Sequence, residues 1–144
     1  MRKALWGFLL FCAIAPHAAL AARAAQRLEE PPPVPVPSEL TQDQARRAIH
    51  AAVDKYGWVI DEESPGHSRA TLILREHMVQ VDVAYETRLI TISYLDSRNM
   101  RFEVDGNVRY IHPKYKKWTR NLANEIGTQL AEARKAKPKP ASAR

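Results

Sequence analysis

The stretch Met78-Val79-Gln80-Val81-Asp82-Val83-Ala84-Tyr85, with Leu89-Ile90-Thr91-Ile92-Ser93-Tyr94-Leu95 close behind it, decides the fold class. In the first run Val79, Val81, Val83 and Tyr85 alternate with Gln80 and Asp82. In the second, Ile90, Ile92 and Tyr94 alternate with Thr91 and Ser93. Successive side chains of a strand point to opposite faces, so this period of two predicts antiparallel strands with one buried and one wet face. The connection Glu86-Thr87-Arg88 is short enough for a hairpin.

Working outward, Trp58 to Glu62 and Arg69 to Arg75 read as two further strands, separated by the turn signal Ser64-Pro65-Gly66. Upstream, Thr41 and Gln44 form a capping box, with Leu40 placed to staple onto Ala45. Ala45, Ala48, Ile49, Ala52, Val53 and Tyr56 then make one apolar helical stripe, which Gly57 ends. Downstream, Asp105-Gly106-Asn107 suggests a short hairpin. Pro113 suits the first helical position, and Tyr115, Trp118, Leu122, Ile126 and Leu130 form a second stripe. The expected fold is α+β, a two-layer sandwich. An antiparallel four-stranded meander, with room for the extra hairpin, is covered on one face by an N-terminal and a C-terminal helix.

The ends of the chain read differently. Arg2 and Lys3 precede an uncharged run from Ala4 to Ile14, and Ala19-Leu20-Ala21 is a small-x-small cleavage signal. This predicts a signal peptide over 1–21, and a periplasmic or secreted chain starting at Ala22. The run is too short for a membrane span, which needs about 20 residues. Cys12 is the only cysteine, and Phe11 before it is a poor match to a lipid-attachment site. Five prolines between Pro31 and Pro37 predict a stiff spacer over 22–38, since proline cannot donate to a ladder. The domain is then expected over 39–133, with a disordered basic tail over 134–144.

The net charge of +6 is not a nucleic-acid signature. Residues 38–133 carry 13 basic and 14 acidic side chains, whereas 134–144 carry five basic ones. A nucleic-acid-binding domain would show its charge on a structured face. Contact with an anionic envelope polymer through the tail, or with an envelope protein, fits better. No cofactor is implied.

Candidate site residues are few. His67 lies near Asp61, Glu62 and Glu63, but no tight histidine pair makes a metal motif. His112 begins the second helix with Ser93, Ser97 and Asp96 not far off in sequence. A Ser-His-Asp set can be sketched there, without any Gly-x-Ser-x-Gly elbow to support it. No catalytic or metal residue is therefore assigned. Tyr94, Arg98, Asn99 and His112 are the binding candidates, because 94–100 mixes polar and apolar groups beside the wet sheet face. Tyr115 and Trp118 share a stripe with Leu122 and Ile126 and read as core. The expected function is a non-enzymatic binding or scaffolding module of the envelope. The alternative is a small periplasmic hydrolase or metal-dependent enzyme using His112 or His67.

The segment from Ile92 to Met100, followed by Ile111-His112-Pro113-Lys114-Tyr115 and then Trp118, Asn121-Leu122 and Ile126, carries a resemblance. Its pattern, Tyr94-x-x-Ser97 and then Ile-His-Pro-x-Tyr-x-x-Trp, resembles a group of small uncharacterised proteobacterial envelope proteins, many of them described as lipoproteins. The resemblance covers about residues 40–130 and implies a periplasm-facing α+β domain. It implies no activity. The chain departs from the lipoprotein members in lacking a usable lipobox.

Overall fold

Val79, Val81 and Val83 are all fully buried, and Gln80 and Asp82 are not, so the central alternation is realised in the expected phase. A computed structural model describes residues 25–86 and 88–136. The expected signal peptide, Cys12 and the Lys137–Arg144 part of the tail lie outside the described residues. The described chain is α+β, with two antiparallel sheets and two helices.

The larger sheet has five strands. β2 (Val34–Pro35), β6 (Leu89–Arg98), β5 (His77–Ala84), β4 (His67–Leu74) and β3 (Trp58–Ser64) lie in that order. The smaller has three: β1 (Gln26–Arg27), β8 (Val108–Ile111) and β7 (Glu103–Asp105). The β7–β8 pair is the hairpin announced by Asp105-Gly106-Asn107, and Gly106 takes a φ of 57°. Helix α1 (Gln42–Lys55) begins on the Thr41–Gln44 capping box, and Gly57 follows its end at a φ of 70°. Helix α2 (Lys114–Ala136) buries Tyr115, Leu122, Ile126 and Leu130. It also takes in residues 134–136, which were expected in the tail. Its Glu125, nearly buried, accepts a 2.7 Å bond from Lys55 Nζ of α1.

The spacer expected over 22–38 gives way from Gln26 onward. Gln26 and Arg27 pair with Ile111 and Tyr110, and Val34 and Pro35 pair with Ile90 and Leu89. The segment 26–36 is a strap that joins both sheets, and Leu28 and Val36 enter the core. Proline is admitted because β2 is an edge strand, where a missing N–H faces no partner. Val36 N–H, just after the proline, donates to Arg88 O at 2.8 Å. The domain therefore starts well before residue 39.

Between β1 and β2, the half-buried Glu30 binds three elements. Its carboxylate accepts from Tyr94 N–H of β6 at 3.0 Å and from Tyr115 O–H of α2 at 2.5 Å, and Arg109 of β8 stands 3.7 Å away. Burial first, then the Glu30 carboxylate, pushes the Tyr115 hydroxyl far above its ordinary pKa. It therefore donates at every physiological pH.

This clasp predicts a stability pattern. Glu30→Ala strands two donors and is expected to cost about 2–4 kcal/mol, and Tyr115→Phe about 1–2 kcal/mol. The double variant is expected to cost less than the sum, because the partners share one interaction. Urea denaturation of the four proteins measures this; strict additivity would show that the clasp contributes no coupling.

Candidate functional site

Three segments meet where α2 begins: the Arg75-Glu76 turn between β4 and β5, the loop from Asn99 to Phe102, and His112-Pro113. Backbone geometry fixes the meeting. Arg75, Asn99 and Arg101 all have left-handed backbones, with φ of 57°, 56° and 50°. Asn99 is suited to that conformation. Its Nδ2 donates to Glu76 O at 2.7 Å, and its own carbonyl accepts from His77 Nδ1 at 2.8 Å. Met100 beside it is buried, and its carbonyl accepts from His112 N–H at 2.7 Å.

The two histidines stand side by side, ring centroids 5.5 Å apart. A carbonyl only accepts, so His77 carries its proton on Nδ1. Its Nε2 then faces Lys114 Nζ as an acceptor at 3.4 Å. His112 Nδ1 accepts from Lys114 N–H at 3.1 Å and so caps the helix. The Trp118 ring lies 6.1 Å from His77 and 6.0 Å from Lys114 Nζ, within cation–π range.

Trp118 also borders a groove of ≈ 240 Å³. Tyr56, Trp58, Leu72, Leu74 and Trp118 supply its apolar walls, and Lys117 and Asn121 its polar edge. Trp118 was expected in the core. It lies at the core's rim instead, half-buried and packed against the core cluster.

The four binding candidates separate. His112 belongs to this corner. Tyr94 lies between the sheets, stacked on Phe102 at 4.7 Å and edge-on to Tyr115 at 5.8 Å. Burial raises its phenol pKa, and its O–H is paired with Ser97 Oγ at 2.9 Å. Asn99 holds the loop. Arg98 pairs in register with Met78, on the side of the sheet away from Val79.

The groups sketched for chemistry are directed elsewhere. Asp61 accepts from Thr71 Oγ1 and Gln80 Nε2. Glu62 pairs with Arg69, and Glu63 with His50 at 2.6 Å. His67 Nδ1 bonds Asp82 Oδ2 at 2.9 Å. Asp96 accepts from Ser97 N–H, and Ser97 Oγ is engaged by Tyr94. Among the described residues no group of three or more His, Cys, Asp or Glu side chains is placed to hold a metal ion. The arrangement at α2's start offers an aromatic surface, ammonium groups and fixed imidazoles, which suits binding.

Sequence reasoning missed Tyr56, Leu74, Lys114 and Lys117 as surface groups. Two signals marked them. Trp58-Val59-Ile60 and Leu72-Ile73-Leu74 are continuous apolar runs where alternation would suffice for a half-buried strand. Lysines fill α2's first turn, and acidic residues, which the helix dipole favours there, are absent from it. No protein-family model, curated protein or solved structure matches the chain.

Two outcomes follow. Asn99→Ala loses a bond and a residue suited to positive φ, and is expected to cost about 1–3 kcal/mol. Asn99→Gly is expected to recover the backbone part; chemical denaturation compares them, and equal losses would remove the conformational argument. The second concerns pH. The Asp82 bond and charge, with Glu86 further off, hold the His67 pKa above its ordinary 6.5. The stabilisation is complete below that unfolded value and is lost as pH rises through the raised folded one. Melting temperatures from pH 5 to 9 are expected to fall more for the native chain than for Asp82→Asn. Parallel curves would refute the linkage.

Proposed function

We propose that this chain is an exported protein of the bacterial envelope that works as a non-enzymatic binding module, in keeping with the envelope-protein group its sequence resembles. Its two helices cover one face of the larger sheet as a two-layer sandwich, and the helix-capped corner presents the binding groove. The observation that carries the binding reading is that groove: half-buried Trp118 lines it together with Tyr56 and Leu74, with Lys117 at its edge. Trapped between apolar walls and an ammonium edge, a ligand gains both burial and charge pairing.

The export reading is supported by the sequence before the domain. The cleavage signal ends at Ala21, and β1 begins at Gln26, so removal of the leader spares every described element. Among the described residues no helix is long and apolar enough to cross a membrane.

Expression in a Gram-negative host, followed by fractionation and intact-mass measurement, tests export. A periplasmic form beginning at Ala22 is expected. A cytoplasmic full-length chain, or an acylated N-terminus at Cys12, would overturn it.

A further inference from the structure

One end of the larger sheet is apolar on both faces. On the face away from the helices, Val59 and Ile73 are each 63% exposed. They are diagonal neighbours, since Val59 pairs with Thr71, and Ile73 pairs directly with Met78. On the helix side of the same strand ends lie the exposed Tyr56 and Leu74 with the rim of Trp118. Half of the eight large hydrophobic side chains exposed among the described residues are thus gathered at this tip.

Basic side chains flank it on both faces, alongside Glu76 in the turn between β4 and β5. Arg75 stands at the turn after Leu74. Arg98 continues the Ile73–Met78 row on the outer face. Lys114 and Lys117 stand on the helix side, at a helix end that already carries positive potential. At the far end of the sheet Glu62, Glu63, Asp82 and Glu86 stand around the β3–β4 turn and the end of β5, where Arg69, His50 and His67 pair with them.

We infer that this tip docks onto an anionic lipid bilayer, seating its apolar residues at the headgroup boundary with Arg75, Arg98, Lys114 and Lys117 against lipid phosphates. The geometry selects this occupant. A bilayer boundary takes in both faces of a sheet end at once, and here both faces are apolar with a basic fringe. Tyrosine and tryptophan favour that boundary, and each basic residue near an anionic surface adds attraction. The inference deepens the binding reading by naming the surface, and it stands whether or not the chain is exported.

The test uses the chain from Ala22 onward, which contains every described element, with vesicles of phosphatidylglycerol and phosphatidylcholine or of phosphatidylcholine alone. Co-sedimentation is expected with the anionic vesicles only, weakening with salt, together with a blue shift of tryptophan emission. Ile73→Glu with Leu74→Glu lies on exposed positions and is expected to abolish binding with an unchanged circular dichroism spectrum. Arg75→Glu with Arg98→Glu is expected to lower partitioning at least about tenfold. Lys137→Gln with Lys139→Gln, in the tail, is expected to leave most of the binding. Equal binding to neutral vesicles, no binding to either, or binding lost with the tail variant but kept by the tip variants would each overturn the inference. Failure here with a periplasmic form beginning at Ala22 would leave export standing and remove the lipid surface alone.

Discussion

The carboxylate of Glu30 is the joint on which the two sheets depend. It reaches β6, β8 and α2 together, through Tyr94 N–H, Arg109 and Tyr115 O–H. Glu29 beside it pairs with Lys116 at 2.5 Å, so two successive carboxylates tie the strap to α2. The prolines that follow have a mechanical consequence. Their φ is preset, so the chain between Glu30 and Val34 has less freedom to lose when the strap closes. Pro31 is itself buried. A run that looks like a spacer by composition acts as a stiff brace between two pairing sites.

The clasp also explains why Tyr94 is unavailable as a ligand platform. A bulge at Leu95 lets Val81 pair with Tyr94 while Gln80 pairs with Asp96. Bulging resets the alternation, so Ser97 shares a side with Tyr94 and Val79, and Arg98 turns away. Tyr94 is then free to fill the space between the sheets, with Phe102 on its face and Tyr115 at its edge. Two residues separated by four in sequence, Tyr94 and Arg98, end in different environments through one inserted residue.

Much of the fold was legible because it rests on local signals. The alternation around Val81, the Thr41–Gln44 box, the Asp105-Gly106-Asn107 turn and the helical stripes each need only near neighbours. The strap was illegible for the opposite reason: Glu30 meets its partners 64 and 85 residues away, and no period marks such contacts. The same limit hid the role of Asn99. Its asparagine identity is compatible with any exposed loop, and its φ of 56° goes with a bond to the Glu76 carbonyl, in a turn 23 residues away. Of the candidate site, His112 at the helix start was readable from Pro113. The neighbours that give it a setting, His77 and Trp118, come from a distant hairpin and from a stripe that looked wholly internal.

The placement of the basic residues at α2's start has a physical reading that stability alone does not provide. Lysines in the first turn oppose the helix dipole, and a helix selected only for stability would carry acidic groups there. Lys116 is neutralised by Glu29, and Lys114 is engaged by His77 and Trp118. Lys117 has no such partner among the described residues, and it edges the apolar groove. Continuous apolar runs at the ends of β3 and β4 are likewise more than the core requires, since Trp58 and Leu72 already face inward and Val59 and Ile73 face solvent. Both departures from local optimality fall at one end of one sheet. The core requires neither, and their coincidence at that end carries the lipid-docking inference.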